Sequence, residues 1–174
     1  MPLTVINDPR LKNTVSMADL EKQAVLTGNV KSDIDSLHRA VNQIRGLRAN
    51  LVALQKPAGG GAPNSDVVAA ANALDQKMTA VEEVLVQVKI KSSEGNLRYP
   101  NMLNEQYASF SDLIQSFDQA PTASQLQVFD ELHTRLTAQL AQWQRLQASD
   151  IPALNDTLRK NGGTAVTVGN GQGE

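Results

Sequence analysis

Residues 121–146 read PTASQLQVFDELHTRLTAQLAQWQRL, and this stretch decides the fold class. Thr122 followed three residues later by Gln125 is a capping box: the hydroxyl accepts from the N3 amide while the Gln side chain accepts from the N-cap amide. From there Leu126, Phe129, Leu132, Leu136, Leu140, Trp143 and Leu146 recur at steps of three and four, the spacing of one helix face. Beyond it, Ser149, Asp150 and Pro152 restart or kink the helix, since Pro is tolerated in a first turn but not in an interior. Ile151, Leu154 and Leu158 then carry an apolar face to Asn161-Gly162.

Three further helices are legible upstream. Ser16, Asp19 and Glu21 mark a start, after which Val30, Ile34, Leu37, Val41, Ile44, Leu47, Leu51 and Leu54 form one stripe. If continuous from Met17 to Gln55, this helix is roughly 58 Å long at the α-helical rise, with Gly28 its one weak point. Ser65 and Asp66 open a second helix, about 39 Å long, striped by Val67, Ala70, Leu74, Met78, Val81, Leu85 and Val88 and ended by Lys89, Lys91 and Gly95. The third follows Pro100, with Leu103, Tyr107, Phe110, Leu113, Ile114 and Phe117 on one face. Leu3 to Ile6 reads as a β-prone run stopped by Asn7, Asp8 and Pro9, and Gly163 to Glu174 as a mobile tail.

The expected architecture is an all-α, up-down-up-down four-helix bundle with a long first helix, a kinked last helix and a short N-terminal β-like arm. The arm covers 1–15, the bundle 16–161 and the tail 162–174. In this arrangement Ile151, Leu154 and Leu158 should cover Leu20, Ala24 and Val30 or their neighbours.

Composition excludes several functions. The 174 residues include no cysteine, which removes disulfide scaffolds, thiolate zinc, iron–sulfur clusters and cysteine nucleophiles. A net charge of −2 and 3% aromatic residues supply neither the positive field nor the stacking platforms of a nucleic-acid binder. Strictly apolar runs such as Val67 to Ala71 fall far short of the roughly 20 residues of a membrane span.

Both histidines sit in Asp-x-x-His pairs, Asp35 with His38 and Asp130 with His133, a spacing reminiscent of the Glu-x-x-His pairs of di-iron bundles. Register argues otherwise: with Ile34 and Leu37, or Phe129 and Leu132, at heptad positions a and d, both aspartates fall at b and both histidines at e, on solvated flanks. No carboxylate on the second or third stripe completes a metal shell, so no metal or cofactor is expected. Gly59-Gly60-Gly61 lacks the Lys-Ser or Lys-Thr of a phosphate loop and reads as a connector. No nucleophile elbow occurs, and Asp118 and the carboxylates of the first helix read as a solvated face, so no catalytic residue is assigned. Arg98 and Tyr99, beside Pro100 in a loop, form a candidate contact patch.

Whole phrases carry a resemblance. Leu3-Thr4-Val5 into Asp8-Pro9-Arg10, Ala40-Val41-Asn42-Gln43-Ile44-Arg45 with Leu47-Arg48, Gly95-Asn96-Leu97-Arg98-Tyr99-Pro100 with Leu103-Asn104, Ala120-Pro121-Thr122, and Ile151-Pro152-Ala153-Leu154-Asn155 resemble the C-terminal helical region of bacterial Asp-box (BNR) repeat glycosyl hydrolases or sortilin-like β-propellers. The resemblance implies a helical appendage following β-propeller and β-sandwich domains in an exported, extracytoplasmic protein, with Leu3 to Ile6 ending the last β-domain. No Asp-box lies in this chain and its one tryptophan, Trp143, is helical, so no propeller residue is carried over. The expected function is therefore a non-catalytic structural or protein-interaction module whose partners are those preceding domains or a second copy. The alternatives are an accessory part of a glycosyl hydrolase that acts only with its propeller, and a stand-alone helical adaptor.

Overall fold

Ser16 opens the first helix with a reciprocal cap: its Oγ accepts from the Asp19 amide (3.2 Å), and the Asp19 carboxylate accepts from the Ser16 amide (3.2 Å) and hydroxyl (2.7 Å). In the computed structural model, which describes residues 2, 3, 6, 8–11, 14–54, 64–92 and 94–171, this helix, α1, runs unbroken over Met17–Leu54, 38 residues. Gly28 lies inside it without a break. Leu26, Val30, Asp33, Leu37, Ala40, Ile44, Leu47 and Leu51 are buried at alternating steps of four and three. That is the 3.5-residue period of a helix seamed against partners along its whole length.

Ser65 and Asp66 open α2 (Ser65–Leu85) as expected, and Asn64 caps it: its Oδ1 accepts from the amides of Asp66 (2.9 Å) and Val67 (3.2 Å). Val67, Ala71, Leu74, Met78, Val81 and Leu85 keep the same period, and the helix ends where Val86 turns extended, three residues before the expected Val88. A 3-10 turn at Gly95–Leu97 leads to α3 (Leu103–Gln115). The capping box of α4 (Ala123–Arg145) is as the sequence reads: Thr122 Oγ1 accepts from the Gln125 amide (3.1 Å) and Gln125 Oε1 from the Thr122 amide (2.8 Å). A π turn, Leu146–Asp150, joins α4 to α5 (Ile151–Lys160).

The expected kink thus takes a specific form. Leu146 to Ile151 is a step of five in an otherwise three-and-four pattern, and the Ile151 amide donates to the Leu146 carbonyl, the i to i+5 bond of a π turn. Pro152 has no amide to give the preceding turn, so the wider turn absorbs both irregularities. Asp150 provides no side-chain cap; its carboxylate pairs with Lys77 and accepts from Ser149 Oγ (2.9 Å).

The chain is an all-α bundle with a long first helix and a kinked last one, and no strand occurs among the described residues. Leu3 and Ile6 are exposed; Thr4 and Val5, the centre of the expected β-like arm, lie outside the described residues, as do Gly59 to Gly61. Cross-helix pairs fix the directions. Arg48–Asp75 and Arg45–Glu82 set α2 antiparallel to α1, and His38–Asn104 with Asp33–Tyr107 set α3 antiparallel to α1 as well. Asp33–His133 and Gln43–Trp143 share one offset, 100 residues, which sets α4 parallel to α1. So α2 and α3 lie end to end rather than reversing between them. The reason is length: 21 residues of α2 cover only the C-terminal half of α1, and the bare N-terminal half is covered by α3.

This order moves the last helix. With α4 parallel to α1, α5 ends beside the start of α2, where Asn64 Nδ2 donates to Asn161 Oδ1 (2.8 Å), and it packs on α2. It therefore does not cover Leu20, Ala24 and Val30; α3 and α4 cover that half of α1.

A Schellman motif ends α5: the Gly163 amide donates to Leu158 (2.9 Å) and the Gly162 amide to Arg159 (3.2 Å), with Gly162 at φ 74°. The following segment has no helix or strand, but it is not free along its length. Val166 is buried, Val168 packs on the core, and Asn155 and Asn42 hold the backbone. The segment expected to be a mobile tail thus packs on the bundle at these residues.

Candidate functional site

Asp33 occupies a core position of α1, between Val30 and Leu37, and is 9% exposed. Its Oδ2 accepts from the hydroxyl of Tyr107 on α3 and lies against Nδ1 of His133 on α4, each at 2.8 Å. One side chain from each of the three helices meets at a single carboxylate oxygen. Tyr107 is wholly buried, and burial first, then the neighbouring Asp33 carboxylate, pushes its hydroxyl well above the usual tyrosine range. It stays protonated and donates. His133 remains half exposed, its ring stacked on Phe129 at 5.6 Å between centroids.

Of the pairs singled out in sequence, neither acts as a pair. His38 Nε2 meets Asn104 Oδ1 (2.7 Å), His133 meets Asp33, and Asp35 and Asp130 are exposed. Among the described residues no group of three or more His, Asp or Glu is placed to hold a metal ion. Asp118 is exposed.

A second polar cluster joins α1 to α2. Glu82, 3% exposed, accepts from Arg45 Nε (2.7 Å) and Arg48 Nη1 (2.5 Å), while Arg48 also reaches Asp75 (2.7 Å) and Thr79 (3.1 Å). Burial alone would raise the Glu82 carboxyl, but the two guanidinium groups outweigh it and hold it below the usual range. Every buried side-chain nitrogen and oxygen among the described residues has a partner.

Arg98 and Tyr99 follow the Gly95–Leu97 turn, with the guanidinium 5.8 Å from the tyrosine ring centroid. Arg98 and Leu97 are exposed, Tyr99 half-buried, and Gln87, two residues past the end of α2, donates from Nε2 to the Pro100 carbonyl (2.9 Å).

An apolar opening lies between the N-terminal halves of α1 and α4. It measures about 630 Å³ and is lined by Ala18, Val25, Leu26, Leu126 and Phe129, with Lys22 and Asp130 among its polar residues. Here the stripes outrun the packed core: Leu113, Phe117 and Leu126, expected on buried faces, are exposed, together with Met17 and Val25. Gln23 caps this end by donating to the carbonyls of Ile114 (2.6 Å) and Phe117 (2.7 Å).

No known protein family, curated protein or solved structure matches this chain. Among the described residues no helix is long and apolar enough to cross a membrane.

Proposed function

We propose that the chain is a non-catalytic helical module packed against a preceding β-domain of its parent, and that the parent is an exported β-propeller protein of the Asp-box or sortilin-like kind. The observation that carries the packing is the apolar end. Met17, Val25, Leu113, Phe117 and Leu126 are exposed at the end of the rod where α1 starts, so the chain leading into Met17 arrives beside them. Val25 and Leu126 share one apolar opening there, and an exposed apolar patch is the mark of a contact face. The parent's identity rests on the phrase resemblance.

The polar clusters support the non-catalytic part. The Asp33 oxygen is engaged by Tyr107 and His133, and Glu82 by two arginines, so both carboxylates serve helix-to-helix contacts.

The test begins with the upstream coding sequence, which should carry Asp-box repeats; their absence would refute the parentage. In the longer protein, amide exchange over 17–29 and 123–130 should slow at least about tenfold relative to this chain, as burial of those turns requires. Unchanged exchange there would refute the packing. On glycosides this chain should give no turnover, and turnover abolished by Asp33→Asn would overturn the non-catalytic reading.

A further inference from the structure

The segment 165–171 is held in the manner of a bound peptide. Asn155 on α5 presents both ends of its amide to one residue: Oδ1 accepts from the Val166 amide (2.8 Å) and Nδ2 donates to the Val166 carbonyl (2.9 Å). A side-chain amide bonded this way stands in for a neighbouring β-strand and reads backbone rather than side chain. Five residues on, Asn42 of α1 donates to the Gly171 carbonyl (3.2 Å). Between these clamps the side chains alternate as in a strand: Val166 buried, Thr167 exposed, Val168 partly buried against the core, Gly169 exposed.

Gly171 sets the far end. Its φ is 71°, and a Cβ there would sit 2.6 Å from the Arg39 carbonyl oxygen. The site therefore requires a glycine at this position for two independent reasons, backbone angle and space. The segment bridges α5 to α1, two helices whose backbones do not otherwise approach closely. Its supports are few beside those of a helix: one buried valine, one partly buried valine and three side-chain hydrogen bonds. It is joined to α5 through Gly162 and Gly163.

The geometry points to a peptide-recognition groove between α1 and α5, occupied in cis by the chain's own tail as a releasable ligand. Its ligand class is an extended segment of pattern Val-x-Val-x-x-Gly, read by Asn155 and Asn42 through the backbone and by the core through the valines. The π turn is part of the device. By inserting one residue it rotates everything after Leu146, so that Ile151, Leu154 and Leu158 face α2 while Asn155 faces the tail.

The full chain carrying Val166→Asp, its tail dislodged, should bind a labelled peptide of residues 163–171 at least about tenfold more tightly than the unaltered chain does, because the cis competitor is gone. Trp143 supplies a label-free signal: it is the one tryptophan, and its indole donates to Gln43 (2.9 Å), whose side chain lies against Gly171. Adding Asn155→Leu, or using a peptide with Gly171→Val, should abolish binding. A Val166→Asp chain of full helix content that ignores the peptide, or that takes the Gly171→Val peptide equally well, overturns the proposal. Hydrogen exchange in the unaltered chain decides independently. The Val166 amide should exchange by local opening, at a rate unaffected by low urea and ahead of the α1 and α4 core; exchange only through global unfolding overturns it.

Discussion

Asp33 shows how a single polar atom organises three helices. Removing its carboxylate leaves the buried Tyr107 hydroxyl unpartnered, so Asp33→Ala should cost about 2–3 kcal/mol and Tyr107→Phe about 1 kcal/mol. Urea denaturation of the double variant should show less than the sum, since both singles break one contact. Glu82 provides a pH signature. Its folded carboxyl lies below the ordinary glutamate value of 4.5, so the stabilisation it confers is complete above that pH and disappears as pH falls through the lowered folded value. Glu82→Gln should therefore cost about 2 kcal/mol near neutral pH and much less in acid, read from melts across the range. The place of Asp33 is legible in the four-three period from Leu26 to Leu51, which passes through it, but a stripe drawn from apolar residues alone steps from Val30 to Ile34 and misses it. The His133 partnership is not legible, because local spacing offers Asp130 and the true partner stands on another helix.

Helix existence and caps are written plainly in the chain, for the signals at Ser16 and Thr122 are contained within four residues. The π turn is half written: Pro152 announces a break, and the five-residue step from Leu146 to Ile151 specifies its kind. Deleting Ala148 restores a step of four but leaves Pro152 inside a regular helix, at a cost of about 3 kcal/mol. Deletion combined with Pro152→Ala should recover that amount, measured by chemical denaturation with helix content followed by circular dichroism. At the end of α5, Gly162 holds φ 74°, and Gly162→Ala should cost about 1 kcal/mol. The extents of the stripes are less legible. Leu113, Phe117 and Leu126 have the right spacing to be buried, but no helix reaches over them.

At the scale of the molecule, the direction of α3 is what the sequence does not declare. Alternation presumes short links, whereas here the half-covered α1 carries the chain onward past Leu85 before it turns back. The chain has no native cysteine, so Ser65→Cys and Ser116→Cys can be labelled cleanly. The two labels should lie about 45 Å apart, from the helical rise along α1 between the levels they flank; an alternating bundle would bring them to one end. The tail gives this rod a mechanical character. Tension applied beyond Gly171 meets the Asn42 clamp first and the Asn155 clamp second, in series rather than together. The strap peels away like a seam, so that about 30 Å of already extended chain comes off the bundle before any helix feels the pull. Whatever is tethered there tugs on a fuse and not on the rod.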